Sequence, residues 1–338
     1  MGNINIRKMT TTLSNKPTPK KEYEPVETFK FLQSFTEETN NGLYLNYVYF
    51  PEEVITMILS YVDPTELLHV SEVCKKWCNI IKSDTFWANI YQRKCGKKPK
   101  KLPWYVYYCF FATNYFDINL IKNGNGENGY DSWTIVVNYG DQFRIEDPPC
   151  GADPLPIDVP EFNGRTSCFA TSYYECNKLQ EISLENNRLI QLILDKFKPH
   201  IYLSEWMAAR FDCGCIYNLW CKLFGKKTEN SKPVQEAHDT EVNSELIGDE
   251  LEDVFEDDQS EFYGEEPLHI EHASKSVEQW AGSTWIKVEM VVKNYPSGVR
   301  SIVFQHEGRD TQFWKGHYGS KMAGGVVKIL FDSIEPLI

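Results

Sequence analysis

From Tyr49 to Cys95 the apolar positions recur at helical spacing. Val54, Ile55, Ile58, Leu59 and Val62 share one face of a first helix, and Asp63-Pro64-Thr65 ends it. Proline suits the first turn of the next helix, where its missing N–H has no intrahelical partner in any case. Leu67, Leu68, Val70 and Val73 follow, then Cys74, Trp77, Ile80 and Ile81, then Phe86, Trp87, Ile90 and Tyr91. Three or four short helices are expected, a unit small enough to gain from a partner. Before it, residues 1–45 are rich in Lys, Thr, Asn and Glu with little periodicity, the pattern of a mobile tail.

Beyond a basic, proline-containing joint (Lys97–Lys101) and an aromatic stretch from Leu102 to Phe111, which together fall in a linker over 97–118, the period shortens to two. Trp133–Asn138 and Ile216–Leu223 alternate, and in Trp285–Val292 the residues Ile286, Val288, Met290 and Val292 share a face opposite Lys287 and Glu289. A turn at Asn294-Tyr295-Pro296-Ser297-Gly298 leads to a strand through Val299, Ile302 and Phe304, and Val326–Phe331 reads as a terminal strand. Strands divided by Gly, Pro and Asn turns predict an antiparallel sandwich rather than βαβ units. The expected architecture is α+β and multidomain, a helical unit over 46–96 followed by a β-sandwich over 119–332. An acidic stretch of about 226–275 is expected as a disordered insertion between two strands.

At 338 residues the chain is long enough for two folded units. Its formal net charge of −13 argues against nucleic acid or an anionic membrane as a partner. Much of that charge lies between Glu229 and Glu271, where Lys232 is the only Lys or Arg. The ten cysteines are scattered, with no pair of CxxC units at zinc spacing, so reduced thiols in the cytosol and no metal site are expected. The polar N-terminus lacks the apolar core of a signal peptide, and no apolar run reaches the ~18–20 residues of a membrane span.

Phe50-Pro51-Glu52-Glu53-Val54-Ile55-Thr56-Met57-Ile58-Leu59, then Leu67-Leu68, then Val70-Ser71-Glu72-Val73-Cys74-Lys75-Lys76-Trp77, and finally Phe86-Trp87 together resemble an F-box. Phe50 stands where the common motif has Leu. The resemblance implies docking on a Skp-type adaptor and, through it, on a cullin–RING ubiquitin ligase. Pro51, Ile58, Leu59, Leu67 and Leu68 are the residues expected to meet the adaptor, because an exposed apolar patch is costly unless a partner covers it.

Asn119–Trp133 resembles the opening of the F-box-associated (FBA) domain, a galactose-binding-like β-sandwich found in the sugar-recognising F-box proteins. Gly140-Asp141-Gln142-Phe143, Thr171-Ser172-Tyr173, Asp212-Cys213-Gly214-Cys215-Ile216-Tyr217, Gly298-Val299-Arg300 and Asp310-Thr311-Gln312-Phe313-Trp314-Lys315-Gly316-His317-Tyr318-Gly319 continue the match in order. In glycan-binding members an aromatic-Trp-Lys loop receives the inner chitobiose of an N-linked glycan, and here that triplet is Phe313-Trp314-Lys315. By that resemblance Trp314 supplies a stacking face, Lys315 and Asp212 supply hydrogen bonds, and Tyr173 forms a wall. A sugar offers C–H bonds to an aromatic face and hydroxyls to charged partners, so the residue types suit the task. Phe313 stands where Tyr is usual and lacks its hydroxyl, which removes a polar contact worth about 1 kcal/mol.

Three functions are weighed: a ligase adaptor that captures misfolded glycoproteins for ER-associated degradation, an adaptor with a non-glycosylated protein target, and a hydrolase on a β-sandwich. No Gly-rich phosphate loop or HExxH pattern supports the last, and His306 with Glu307 would point to opposite faces of a strand. The expectation is a non-catalytic, cytoplasmic adaptor without a cofactor.

Overall fold

The computed structural model describes residues 41–226 and 266–337. It opens with a short hairpin, β1 (Tyr44–Leu45) against β2 (Val48–Tyr49), inside the stretch expected as tail and its border. Four helices follow: α1 (Glu52–Leu59), α2 (Leu67–Val70), α3 (Lys75–Ile81) and α4 (Asp84–Cys95). Glu52 and Glu53 occupy the first turn of α1, where carboxylates favour the positive end of the helix dipole. The Ser83 hydroxyl accepts from the Phe86 amide to start α4, and Gly96, at φ +67°, ends it in the left-handed conformation.

The joint carries a helix of its own, α5 (Trp104–Ala112), whose rings bind the helical unit to the sandwich. Tyr108 lies 5.7 Å from Trp87, Tyr107 lies 5.3 Å from Tyr91, and Phe110 lies 4.3 Å from Phe331 near the C-terminus. Asp332 accepts from the Tyr91 hydroxyl and the Lys97 ammonium, which adds a polar clasp at the same seam.

The sandwich is built from β3 (Thr134–Asn138), β4 (Arg144–Glu146), β5 (Cys168–Ala170), β6 (Cys176–Ser183), β7 (Ile201–Ala208), β8 (Cys215–Phe224), β9 (His269–Val277), β10 (Ile286–Val292), β11 (Ser301–Asp310) and β12 (Lys321–Ile329). They form two five-stranded sheets, in the orders β10-β7-β12-β5-β4 and β3-β6-β11-β8-β9, with every pairing antiparallel. In β8 the residues Tyr217, Leu219, Cys221 and Leu223 face inward and share one apolar cluster with Ile201, Leu203 and Val327 of the other sheet. The cluster extends to an amphipathic helix, α6 (Arg188–Phe197), which buries Ile190, Ile193, Leu194 and Phe197. The Asn187 side chain caps it by accepting from the Leu189 and Ile190 amides.

The acidic insertion is shorter at its C-terminal side than expected. Residues 269–277 are strand β9, paired with β8 from Leu223↔His269 to Cys215↔Val277. As an edge strand it has one neighbour and little burial, so its sequence looks polar. The rest of the expected insertion, like the tail up to residue 40, lies outside the described residues.

The interior also holds ionisable side chains. Lys178 is fully buried, its ammonium 3.3 Å from the ring centre of Trp133 and 3.4 Å from that of Phe169. Nearby, Glu205 accepts from the Tyr217 hydroxyl at 2.7 Å and from His306 Nδ1. All ten cysteines are described and none is in a disulfide.

Candidate functional site

The strand registers bring five connections to one end of the sandwich. Cys215 pairs with both Asp310 and Val277, Gly308 with Cys176, and Cys176 with Asn138, so the connections 139–143, 171–175, 209–214, 278–285 and 311–320 all leave the sheets at the same end. The Phe313-Trp314-Lys315 triplet lies on the last of these.

Its shape is set by Asp310, the final residue of β11, whose carboxylate is buried beneath the loop. One oxygen accepts from the amides of Gln312 (3.1 Å) and Phe313 (2.5 Å), and the other from that of Trp314 (3.2 Å). Burial raises the Asp310 pKa, against these three amides, which lower it. The chain therefore reverses tightly enough to hold Phe313 at φ +56°, a left-handed conformation uncommon for a bulky residue. Neighbouring turns fix the loop from both sides. The Gln312 side chain accepts from the Gly214 amide at 2.8 Å, and the Thr311 amide donates to the Gly214 carbonyl at 3.0 Å. Opposite, Ser172 donates to the Gly316 carbonyl and His317 donates to that of Asp141. At Gly319 a Cβ would come within 2.2 Å of Thr171 Oγ1, so only glycine permits this approach of the two loops.

Two rings are consequently displayed rather than packed. Phe313 is 54% exposed and Trp314 is 39% exposed. Trp314 meets the edge of Tyr318 at 5.6 Å, while Phe313 meets Tyr174 at 5.9 Å and has the Arg309 guanidinium 5.8 Å from its centre. Lys315 is exposed beside them.

The expected site residues are brought to one end by different routes. Tyr173 joins through Tyr174, at 5.0 Å, and backs onto Gly140. Asp212 joins through Arg210, whose Nε donates to it at 2.7 Å and whose guanidinium lies 4.4 Å from the Tyr318 ring centre. Asp212 is thus half of an ion pair, with one oxygen already engaged. Burial disfavours the Arg210 charge, but the hydrogen bond and charge of Asp212 outweigh it and raise the guanidinium pKa. Arg210, Tyr174 and Tyr318, together with the exposed Phe211 and Trp280, were not singled out by the sequence reading. For four of them the signal was proximity: Arg210 and Phe211 precede Asp212, Tyr174 follows Tyr173, and Tyr318 stands four residues after Trp314 in the same motif, whereas Trp280 lies outside the motifs. Exposed rings beside charged groups are a chemistry suited to sugars, whose C–H faces stack while their hydroxyls bond.

At the helical unit the exposed patch is differently composed from the one expected. Pro51 and Ile58 are exposed and Leu68 is half-buried, but Leu59 and Leu67 lie inside the unit's own core. Ile55 and Leu59, four residues apart, form the inward stripe of α1, so the next position around the helix, Ile58, turns outward. Met57, Tyr61 and Val73 are further exposed apolar residues of this unit, as are Tyr44, Tyr47, Val48 and Tyr49 of the hairpin.

A family model described as "F-box associated region" matches residues 111–252 and 265–329, and one described as "F-box-like" matches residues 49–93. The chain is 29% identical over 285 residues to F-box only protein 6 of Homo sapiens, covering 82% of each chain. It is 27% identical over 289 residues to F-box only protein 44 of Homo sapiens, covering 82% of this chain and 94% of that protein. With F-box only protein 27 of Mus musculus it shares 26% identity over 294 residues, covering 82% and 89%. Among solved structures, a family 16 carbohydrate-binding module overlaps 62% of this chain and 99% of that chain at 13% identity and a TM-score of 0.29.

Proposed function

Because the chain belongs to the F-box proteins that carry an F-box associated region, we propose that it is the substrate-recognition subunit of a Skp–cullin–F-box ubiquitin ligase. In this reading the helical unit docks on the Skp adaptor, and the loop end of the sandwich captures misfolded N-glycosylated proteins for ubiquitination and ER-associated degradation. The protein is then a non-catalytic receptor that acts from the cytoplasm. Among the described residues no helix is long and apolar enough to cross a membrane.

The observation that carries the sugar reading is the Asp310-anchored loop, which holds Trp314 and Phe313 in solvent next to Lys315 and the Arg210–Asp212 pair. Trp314 offers a face to an N-acetylglucosamine ring, and the second oxygen of Asp212 and the Lys315 ammonium offer partners for hydroxyl and amide groups. The adaptor reading is supported by the exposure of Pro51, Met57, Ile58, Tyr61 and Val73, apolar side chains of the helical unit that a partner would cover.

Titration of chitobiose into the purified protein tests the first half. Saturable binding that Trp314→Ala abolishes is expected; binding indifferent to Trp314→Ala would remove the loop from the account. Co-purification with a Skp adaptor tests the second half, with Pro51→Ala plus Ile58→Asp expected to reduce recovery sharply.

A further inference from the structure

The ring-lined surface at the loop end continues past Trp314. Next along it is Tyr318, then the Arg210 guanidinium 4.4 Å from that ring, then Phe211, whose ring centre is 5.7 Å from the same guanidinium. Trp280 ends the strip, 6.5 Å from Phe211 and inclined at 60° to it. Phe211 is 49% exposed and Trp280 is 67% exposed, so neither ring serves mainly as core.

Both rings are set in place by backbone features that a simple surface turn would not need. Trp280 has φ +65°, a conformation that an L-residue with a large side chain adopts at a cost. The Gln279 side chain donates to the Asp212 carbonyl at 3.1 Å, which ties the Trp280 turn to the one bearing Phe211. At Gly214 a Cβ would lie 2.8 Å from the Val277 carbonyl oxygen and 2.9 Å from the Gln279 nitrogen, so the two turns are pressed together. The residues after Trp280 are Ala281, Gly282 and Ser283, whose small side chains add only the Ala281 methyl to the apolar surface. What is presented is aromatic faces beside an Arg–Asp pair, the same combination found around Trp314.

We propose that Phe211 and Trp280 form a second sugar-stacking subsite, receiving a pyranose ring further along the oligosaccharide whose inner end stacks on Trp314. The proposal rests on the sugar reading of the Trp314 loop. It makes the ligand longer than a disaccharide and gives the Arg210–Asp212 pair a place between the two stacking positions.

The test compares two sugars with the full-length chain by calorimetric titration: chitobiose, and the branched pentasaccharide core of N-glycans, which adds three mannoses. Trp280→Ala and Phe211→Ala should each weaken pentasaccharide binding by about threefold to tenfold, the range of one aromatic stacking contact, and leave chitobiose binding unchanged. Trp280→Tyr, which keeps a ring, should restore most of the loss. Unaltered pentasaccharide affinity in both alanine variants, with Trp314→Ala still abolishing it, would overturn the subsite while sparing the Trp314 reading. Failure of the wild-type protein to bind either sugar would overturn both. If Trp280→Ala instead weakens capture of a protein stripped of its glycans, the strip docks polypeptide and the proposal is wrong.

Discussion

Replacing Asp310 by Asn removes a charge from the base of the Phe313-Trp314-Lys315 loop while leaving the volume nearly the same. In the native loop the carboxylate serves three amides, two on one oxygen and one on the other. Hydrogen bonds to a charged group contribute about 1.5–3 kcal/mol each. An Asn that keeps its carbonyl oxygen toward Gln312 and Phe313 turns its NH₂ toward the Trp314 amide, donor against donor. One charge-assisted bond is lost and two become neutral, but burial outweighs these amides in setting the Asp310 pKa, so relief from burying the carboxylate offsets most of that cost to the fold. What remains is the donor-against-donor clash at Trp314, a loss of about 2 kcal/mol in the binding geometry. Since 1.4 kcal/mol is tenfold in affinity, chitobiose binding should weaken by at least that factor. Calorimetric titration measures it, with thermal unfolding as a control in which Tm falls by only a few degrees. Wild-type affinity in the Asn variant would refute the idea that this carboxylate holds Trp314 in its binding position.

Three further outcomes are expected. Because the Asp310 pKa is raised above its ordinary value of 3.8, this carboxyl contributes stability that is fully present below that value and lost as pH rises through the raised one. Sugar affinity runs the opposite way, since protonation removes an acceptor: chitobiose binding should decline on acidification before pH 3.8 is reached, with Asp310→Asn flattening the decline, and a pH-independent wild type would contradict this. At the helical unit, Leu67→Asp should cost more than about 3 kcal/mol by burying a carboxylate in the core, whereas Ile58→Asp should change Tm little and still impair adaptor recovery. Equal thermal effects would mean the two side chains are misassigned. In the sandwich, burial depresses the Lys178 pKa far below its ordinary value despite the opposing pull of Glu205. This group's contribution therefore falls as pH drops, and Lys178→Met, which keeps most of the side-chain volume and removes the desolvated amine, should raise Tm in neutral buffer by a few degrees; a marked decrease in Tm would show that the ring-sandwiched amine stabilises the fold.

What the sequence made legible was local. The helices α1 to α4 and strands β3, β8, β10 and β11 stood out because each repeats its apolar residues at its own period. Helix α6 carried the same signal in Asn187, Ile190, Ile193, Leu194 and Phe197, yet sat among strands and went unread. Strand β9 had no such pattern to offer, because an edge strand buries few of its residues. Leu59 and Ile58 are adjacent in sequence, and only the packing of α1 decides which of them faces out. At the loop end, motif order located Trp314 and Asp212. Their linkage through Tyr318 and Arg210 depends on registers between strands nearly a hundred residues apart, beyond the reach of local periodicity. Phe211 and Trp280 were missed because isolated aromatics in a sequence look like core residues until their exposure is known.

Cargo capture offers the most direct check. A denatured glycoprotein is presented to the immobilised chain before and after enzymatic removal of its N-linked glycans. Retention of the glycosylated form and loss of the stripped form is the expected result. Equal retention of both would contradict the account, because the displayed Trp314 would then hold something other than sugar.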